Sequence, residues 1–217
     1  MHLPAAVLSV AATAASAHAV VPTIASTFDT GPEGWGTLNS ATGFGWDPAL
    51  GSPGGAIHAR DQGFFDIWYY AASDAYSGDL TAYYDGAITW DTLGIEGDQS
   101  LASRADVMIF GGGLGIGVNI AASPERGTWV TRSVTLTQGD WFIVGSANEG
   151  ALIPSVATEQ EIMYVLSNVD GFFLQGEYTD GADETAIDNV FLTAFGVPSP
   201  GALAFLGLAT LATRRRR

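Results

Sequence analysis

The sequence predicts an all-β protein, an antiparallel jelly-roll sandwich with one short helix, carried between two short apolar terminal segments. Three observations lead there. Glycine supplies 28 of 217 residues, about twice the usual share, which implies many tight turns. Lys is absent and Glu and Gln are scarce, while Val, Ile, Thr, Trp, Tyr and Phe are plentiful, a composition that favours strands over helices. Short alternating segments follow one another without the strand-helix-strand alternation of a parallel sheet.

In chain order, residues 1–19 read as an export signal: Ala5 to Ala15 is small and apolar apart from Ser9 and Thr13, and Ala17-His18-Ala19 fits the small-x-small cleavage pattern. A cut after Ala19 starts a mature domain at Val20. The domain, 20–196, opens with Thr23 to Phe28 and closes with Ala186 to Leu192, both alternating. Asp85-Gly86 predicts a type I′ hairpin joining Leu80–Tyr84 to Ala87–Asp91, because both central residues of that turn need positive φ. Further strands are expected at Gly63–Tyr70, Asp106–Phe110, Thr128–Leu136 and Phe172–Tyr178. The helix begins at Thr158-Glu159-Gln160-Glu161, a capping-box pattern, and carries Ile162, Val165, Leu166 and Val169 on one face. The tail, 197–217, runs Val197-Pro198-Ser199-Pro200, then 13 uncharged residues, then Arg214, Arg215, Arg216 and Arg217. As helix the uncharged run spans about 20 Å, at the short limit for a membrane. The arginines would hold its end on the cytoplasmic side.

All 23 acidic residues lie between Asp29 and Asp188, where only four arginines oppose them, a net charge of −19 against −15 for the whole chain. That field argues against a nucleic-acid partner, whose phosphates are bound by Lys and Arg patches. Cysteine is absent, which removes disulfides, thiolate metal sites and a cysteine nucleophile.

The tail, with an export signal at the opposite end, resembles the PEP-CTERM sorting domain of Gram-negative bacteria that make extracellular polysaccharide. The resemblance implies transient membrane anchoring, cleavage near Pro198 to Pro200 by an exosortase-like membrane transpeptidase, and release to the cell surface or matrix. Ser199 departs from the pattern, which has Glu there. The stretch GGAIHARDQGFFDIWYYAASDAYSGDLTAYYDGAITWD ending at Asp91, and FFLQGEYTDGADETAIDN from Phe172 to Asn189, resemble the laminin B module, also called laminin domain IV. With Phe28-Asp29 and Gly34-Trp35 the likeness spans Ser26 to Thr193. It implies a galactose-binding-like jelly roll of extracellular and surface proteins, with matrix protein or extracellular polysaccharide as partner.

Candidate chemistry is thin. His58 is the sole histidine of the domain and sits in an expected strand, without a Gly-x-Ser-x-Gly elbow to complete a triad. No catalytic residue is assigned. Calcium is the expected ion, since it takes oxygen ligands: Asp29 and Asp188 lie in the first and last strands, which neighbour each other in such sandwiches, so one structural Ca²⁺ between them stands beside the alternative of solvated edge carboxylates. Asp180-Gly181-Ala182-Asp183-Glu184 reads as a second acidic loop. The Gly111-to-Gly117 run lacks the Lys of a phosphate loop and reads as a hairpin or bulged strand. Six tryptophans, Trp35, Trp46, Trp68, Trp90, Trp129 and Trp141, divide between core packing and a sugar-stacking surface. Trp68 and Tyr70 should share one strand face and Tyr69 the other.

Overall fold

The computed structural model describes residues 21–39, 41–61, 67–97, 104–120, 124–145, 150–179 and 181–195. The signal segment with Ala17 and Ala19, and the tail with Pro198, Ser199, Pro200 and Arg214 to Arg217, lie outside them. Among the described residues, thirteen strands and one α-helix form two facing antiparallel sheets.

The first sheet contains β1 (Ile24–Ser26), β3 (Thr42–Gly51), β4 (Gly54–Asp61), β6 (Ala87–Glu96), β9 (Val130–Thr135) and β13 (Asp183–Thr193). Its order is β3-β4-β13-β6-β9, with β1 against the far end of β13. Ile24 faces Leu192 and Ser26 faces Val190, so the first and last strands are neighbours. The second sheet contains β2 (Gly36–Leu38), β5 (Tyr69–Ala71), β7 (Val107–Gly111), β8 (Leu114–Val118), β10 (Phe142–Val144), β11 (Leu152–Val156) and β12 (Val169–Gln175). Its order is β11-β10-β8-β7-β12-β5-β2.

Inward side chains of both sheets build the main core, among them Trp68, Trp90, Tyr70, Ile109 and Ile187. Helix α1 (Glu159–Leu166) carries the expected capping box: Thr158 accepts from the Glu161 amide while the Glu161 carboxylate takes the Thr158 N–H. The resulting turn aims Ile162, Val165 and Leu166 into the core.

Several expectations need correction. Leu80–Tyr84 is not a strand. Thr81–Tyr83 forms a single 3₁₀ turn, because the Asp79 side chain accepts from both the amide and the hydroxyl of Thr81 and sets a local turn that competes with strand geometry. Asp85 does adopt positive φ, but it leads into β6, whose partners are β13 and β9 rather than a preceding strand. Asp183 and Glu184 belong to β13 and not to a loop; Asp183 is buried and accepts the Tyr178 N–H at 2.8 Å. The glycine run is the β7–β8 hairpin, turning at Gly112 and Gly113, both at positive φ. Strands β2, β3, β10 and β11 were not read from the sequence.

Candidate functional site

Three segments with unusual backbones meet at one end of the first sheet. Phe28, just past β1, has φ 52° and Asn189, inside β13, has φ 51°, conformations that cost L-residues energy. The third segment is the Gly51-to-Gly54 turn between β3 and β4. Each backbone is held by side chains from elsewhere. The Phe28 N–H donates to Glu33 Oε1 at 2.7 Å, and its carbonyl accepts from Trp46 Nε1 at 2.6 Å. Trp129 Nε1 holds the Leu50 carbonyl at 3.1 Å.

Asp188 lies beneath this turn with no solvent exposure. Its carboxylate accepts the Ser52 N–H at 2.7 Å and the Asn189 N–H at 2.7 Å. Asn189 Nδ2 donates onward to the Ser52 carbonyl and to Asp91, both at 2.9 Å. Burial pushes the Asp188 carboxyl up to about 6; the two amide donors oppose that, and the negative fields of Asp91 and Asp29 add to it. Asp29 approaches from the other side of the turn. A Cβ placed on Gly54 would sit 2.2 Å from Asp29 Oδ1, and Gly54 itself has φ +96°, so a side chain there would push Asp29 aside on a backbone that favours glycine.

Of the two carboxylates expected to meet, Asp188 is buried under the Ser52–Gly54 turn and feels the negative charge of Asp29 among others. Reading the sequence missed Asp91, Asn189 and Ser52, which the register of β6 against β13 and the hairpin tip bring in. Among the described residues no three His, Asp or Glu side chains converge closely enough to cage a metal. A cation here would need backbone or amide oxygens beside the two carboxylates. The donor set is all oxygen and anionic, which suits Ca²⁺ and not a softer metal.

The remaining candidates are structural. His58 sits on the outward face of β4, its Nδ1 3.2 Å from Glu184 Oε1, and Arg60 pairs with the other oxygen of the same carboxylate. Of the tryptophans, Trp35, Trp68, Trp90 and Trp141 are buried; Trp46 and Trp129 are half-buried, each with its indole N–H on a backbone carbonyl. Trp68 and Tyr70 do share the main core, and Tyr69 does point the other way. Tyr69 is nevertheless buried, because Ala105, Met108 and Val144 form a second apolar layer on the outer side of the second sheet. Phe110 and Phe173 extend this layer to the half-exposed surface, edge to face at 6.0 Å. Each ring lies against a glycine: a Cβ on Gly115 would be 2.3 Å from the Phe110 ring, and one on Gly171 2.7 Å from that of Phe173.

The family model of Laminin B (Domain IV) matches residues 69–204, more than half of the chain. The chain belongs to the laminin B family. No curated protein sequence matches this laminin B chain significantly. Among solved structures, the L4b domain of human laminin alpha-2 superposes with a TM-score of 0.52 at 13% identity, covering 63% of this chain and 79% of that one. An exo-beta-agarase superposes at 0.53 and 12% identity, covering 82% of this chain. The laminin B chain spans only 26% of that enzyme's chain. At these identities both likenesses speak to the sandwich fold alone. Within the laminin B domain no helix among the described residues is long and apolar enough to cross a membrane.

Proposed function

We propose that this laminin B domain is a non-enzymatic, exported binding or adhesion module of the cell surface or extracellular matrix, with a structural Ca²⁺ at Asp29 and Asp188. The observation that carries the reading is how the buried acids are used. Asp106 and Asp183 each accept a backbone N–H from a neighbouring segment, so their oxygens serve loop architecture, whereas Asp188 Oδ1 accepts only the Asn189 amide and keeps a lone pair that a cation beside Asp29 would use. The laminin B membership and the acidic surface of the domain support an extracellular setting that attracts divalent cations. For the calcium part, differential scanning of the full protein checks the outcome: chelation with EDTA should lower the melting temperature by several degrees and added Ca²⁺ should restore it, since a ligand bound only to the folded state stabilises it by mass action. An unchanged melting temperature defeats the calcium assignment.

A second reading, carbohydrate binding, is favoured by Phe110 and Phe173. Both are half-exposed rings on the outer side of the second sheet, and an accessible aromatic ring suits the C–H side of a sugar. The agarase likeness is consistent with it. A glycan array followed by calorimetry, with and without Ca²⁺, decides between the two: binding that is lost in Phe110→Ala and Phe173→Ala selects the second reading, and no binding under either condition removes it.

For delivery, the reading is that the tail parks the chain at the membrane and an exosortase-like transpeptidase cuts near Pro198 to Pro200. Mass spectrometry of the surface protein should then find a C-terminus that lacks Arg214 to Arg217. Intact arginines on the surface form would sink the sorting step.

A further inference from the structure

Every open sheet exposes unpaired backbone groups along its edges, and proteins usually blunt those edges with Pro, Lys, bulges or short strands. Among the described residues four edges are blunted: β1 and β2 have three residues each, β11 contains Pro154, and β3 contains Pro48 and two register shifts. The fifth edge, β9, is not. It reads Val130-Thr131-Arg132-Ser133-Val134-Thr135, pairs with β6 in continuous register, and contains neither Pro nor Lys. Its one cation, Arg132, is turned inward and buried.

The direction of its backbone groups follows from alternation. The Leu136 N–H donates to the Gly86 carbonyl and its carbonyl accepts from Asp85, so Leu136 and Val134 spend their groups on the β6 side. Ser133 and Thr135 then point theirs away from the sheet. Trp141 Nε1 takes the Thr135 carbonyl at 2.7 Å, which agrees with that direction and leaves the Ser133 groups and the Thr135 N–H facing a cavity. The cavity measures about 470 Å³ and is lined by Ser133 to Thr135, by Val118 to Ile120 after β8, and by Gly139, Asp140 and Phe142. Its walls are apolar at Val118, Ile120 and Phe142. The exposed Asp140 carboxylate stands at the rim.

We infer that this edge binds an extended segment of another protein by strand addition, and that the segment carries a basic side chain over Asp140. Main-chain pairing to Ser133 and Thr135 would supply affinity, and the adjacent cavity would select alternate side chains. Charge chooses the occupant: a domain with net −19 between Asp29 and Asp188 repels a second copy of itself and attracts a cationic strand.

The test uses the full protein and a synthetic peptide as long as β9, alternating threonine and valine with one arginine. Binding should slow hydrogen exchange at the Ser133 and Thr135 amides. A peptide N-methylated on its pairing face should not bind, and Ser133→Pro, which removes an edge N–H that β6 does not use, should weaken binding by about ten-fold with little change in melting temperature. Asp140→Asn should weaken the arginine peptide and leave a peptide with valine in that place unaffected. Should Ser133→Pro fail to fold, the N-methylated peptide decides. Absence of binding, equal binding of the N-methylated peptide, or self-association through β9 in sedimentation would overturn the proposal. A negative glycan array bears only on the carbohydrate reading, so the two failures are distinguishable.

Discussion

Acidification from about pH 7.5 to about pH 4.5 should raise the thermal stability of the calcium-free protein, the reverse of ordinary acid denaturation. Three carboxyls buried on folding are responsible: Asp106, Asp183 and Asp188, each pushed up to about 6 with burial as the main cause. Arg132 and the Ile120 N–H work against the shift at Asp106, and the Tyr178 and Trp68 donors do so at Asp183, without cancelling it. For a carboxyl whose folded value exceeds its unfolded one, the folded state binds the extra proton. Its stabilisation is complete below the unfolded value near 4 and is lost as pH rises through about 6. Each group then accounts for on the order of 3 kcal/mol across that window. Relief of repulsion in the acidic domain acts in the same direction. Calcium should oppose the trend, because it requires ionised Asp188, so the gain from added Ca²⁺ should be larger at the higher pH. Melting curves across this range, with and without Ca²⁺, check both signs; a calcium-free protein that melts lower at the acidic end contradicts the assignment. Asp106→Asn identifies one contributor. Its amide can still accept from Ile120 and donate to the Tyr178 hydroxyl, which rotates to suit, so the variant should keep its acid stability and lose part of the slope.

Gly54→Ala should disturb the candidate cation site through Asp29. The new methyl would lie 2.2 Å from Asp29 Oδ1 on a backbone at φ +96°, so it carries the backbone penalty and pushes the exposed Asp29 carboxylate aside. Gly113, in the β7–β8 turn, supplies the control: it has φ +82°, and a methyl added there would meet nothing within 4 Å. Gly113→Ala should cost about 1–2 kcal/mol from backbone conformation alone. Gly54→Ala should carry a similar backbone cost of about 1–2 kcal/mol, and it should also abolish the calcium-dependent rise in melting temperature because Asp29 is displaced. A calcium-dependent rise in melting temperature that survives in Gly54→Ala would show that Asp29 is not held where the turn places it.

Local chemistry made much of this legible. The Thr158–Glu161 capping box and the Ile162, Val165, Leu166 stripe are self-contained within two helical turns, and the structure has the helix there. The alternation in β6, β9 and β13 is likewise a property of each segment. Leu80–Tyr84 misled because strand-forming Tyr and Thr follow Asp79, whose side chain captures the Thr81 amide and imposes a turn. Strand β8, with glycine at every second position, was legible only as part of a hairpin or bulged strand; the sequence does not show that Phe110 and Val144 fill the space above Gly115 and Gly117. Asp29 and Asp188 were nameable as a pair from the expected adjacency of the first and last strands. Asp91, Asn189 and Ser52 were not, since their approach depends on register and on how a hairpin tip folds over β13.

The sequence alone determined the all-β character, the helix with its cap, the charge of the domain and the laminin B resemblance, because composition, capping and alternation act over a few residues. Tertiary structure decided which acids are buried, which aromatic rings are half-exposed, and which edge is left unblunted among the described residues. Those outcomes depend on what the other sheet, a turn or a loop places above a residue, and contacts between residues as far apart as Ser52 and Asp188 leave no mark on the local pattern.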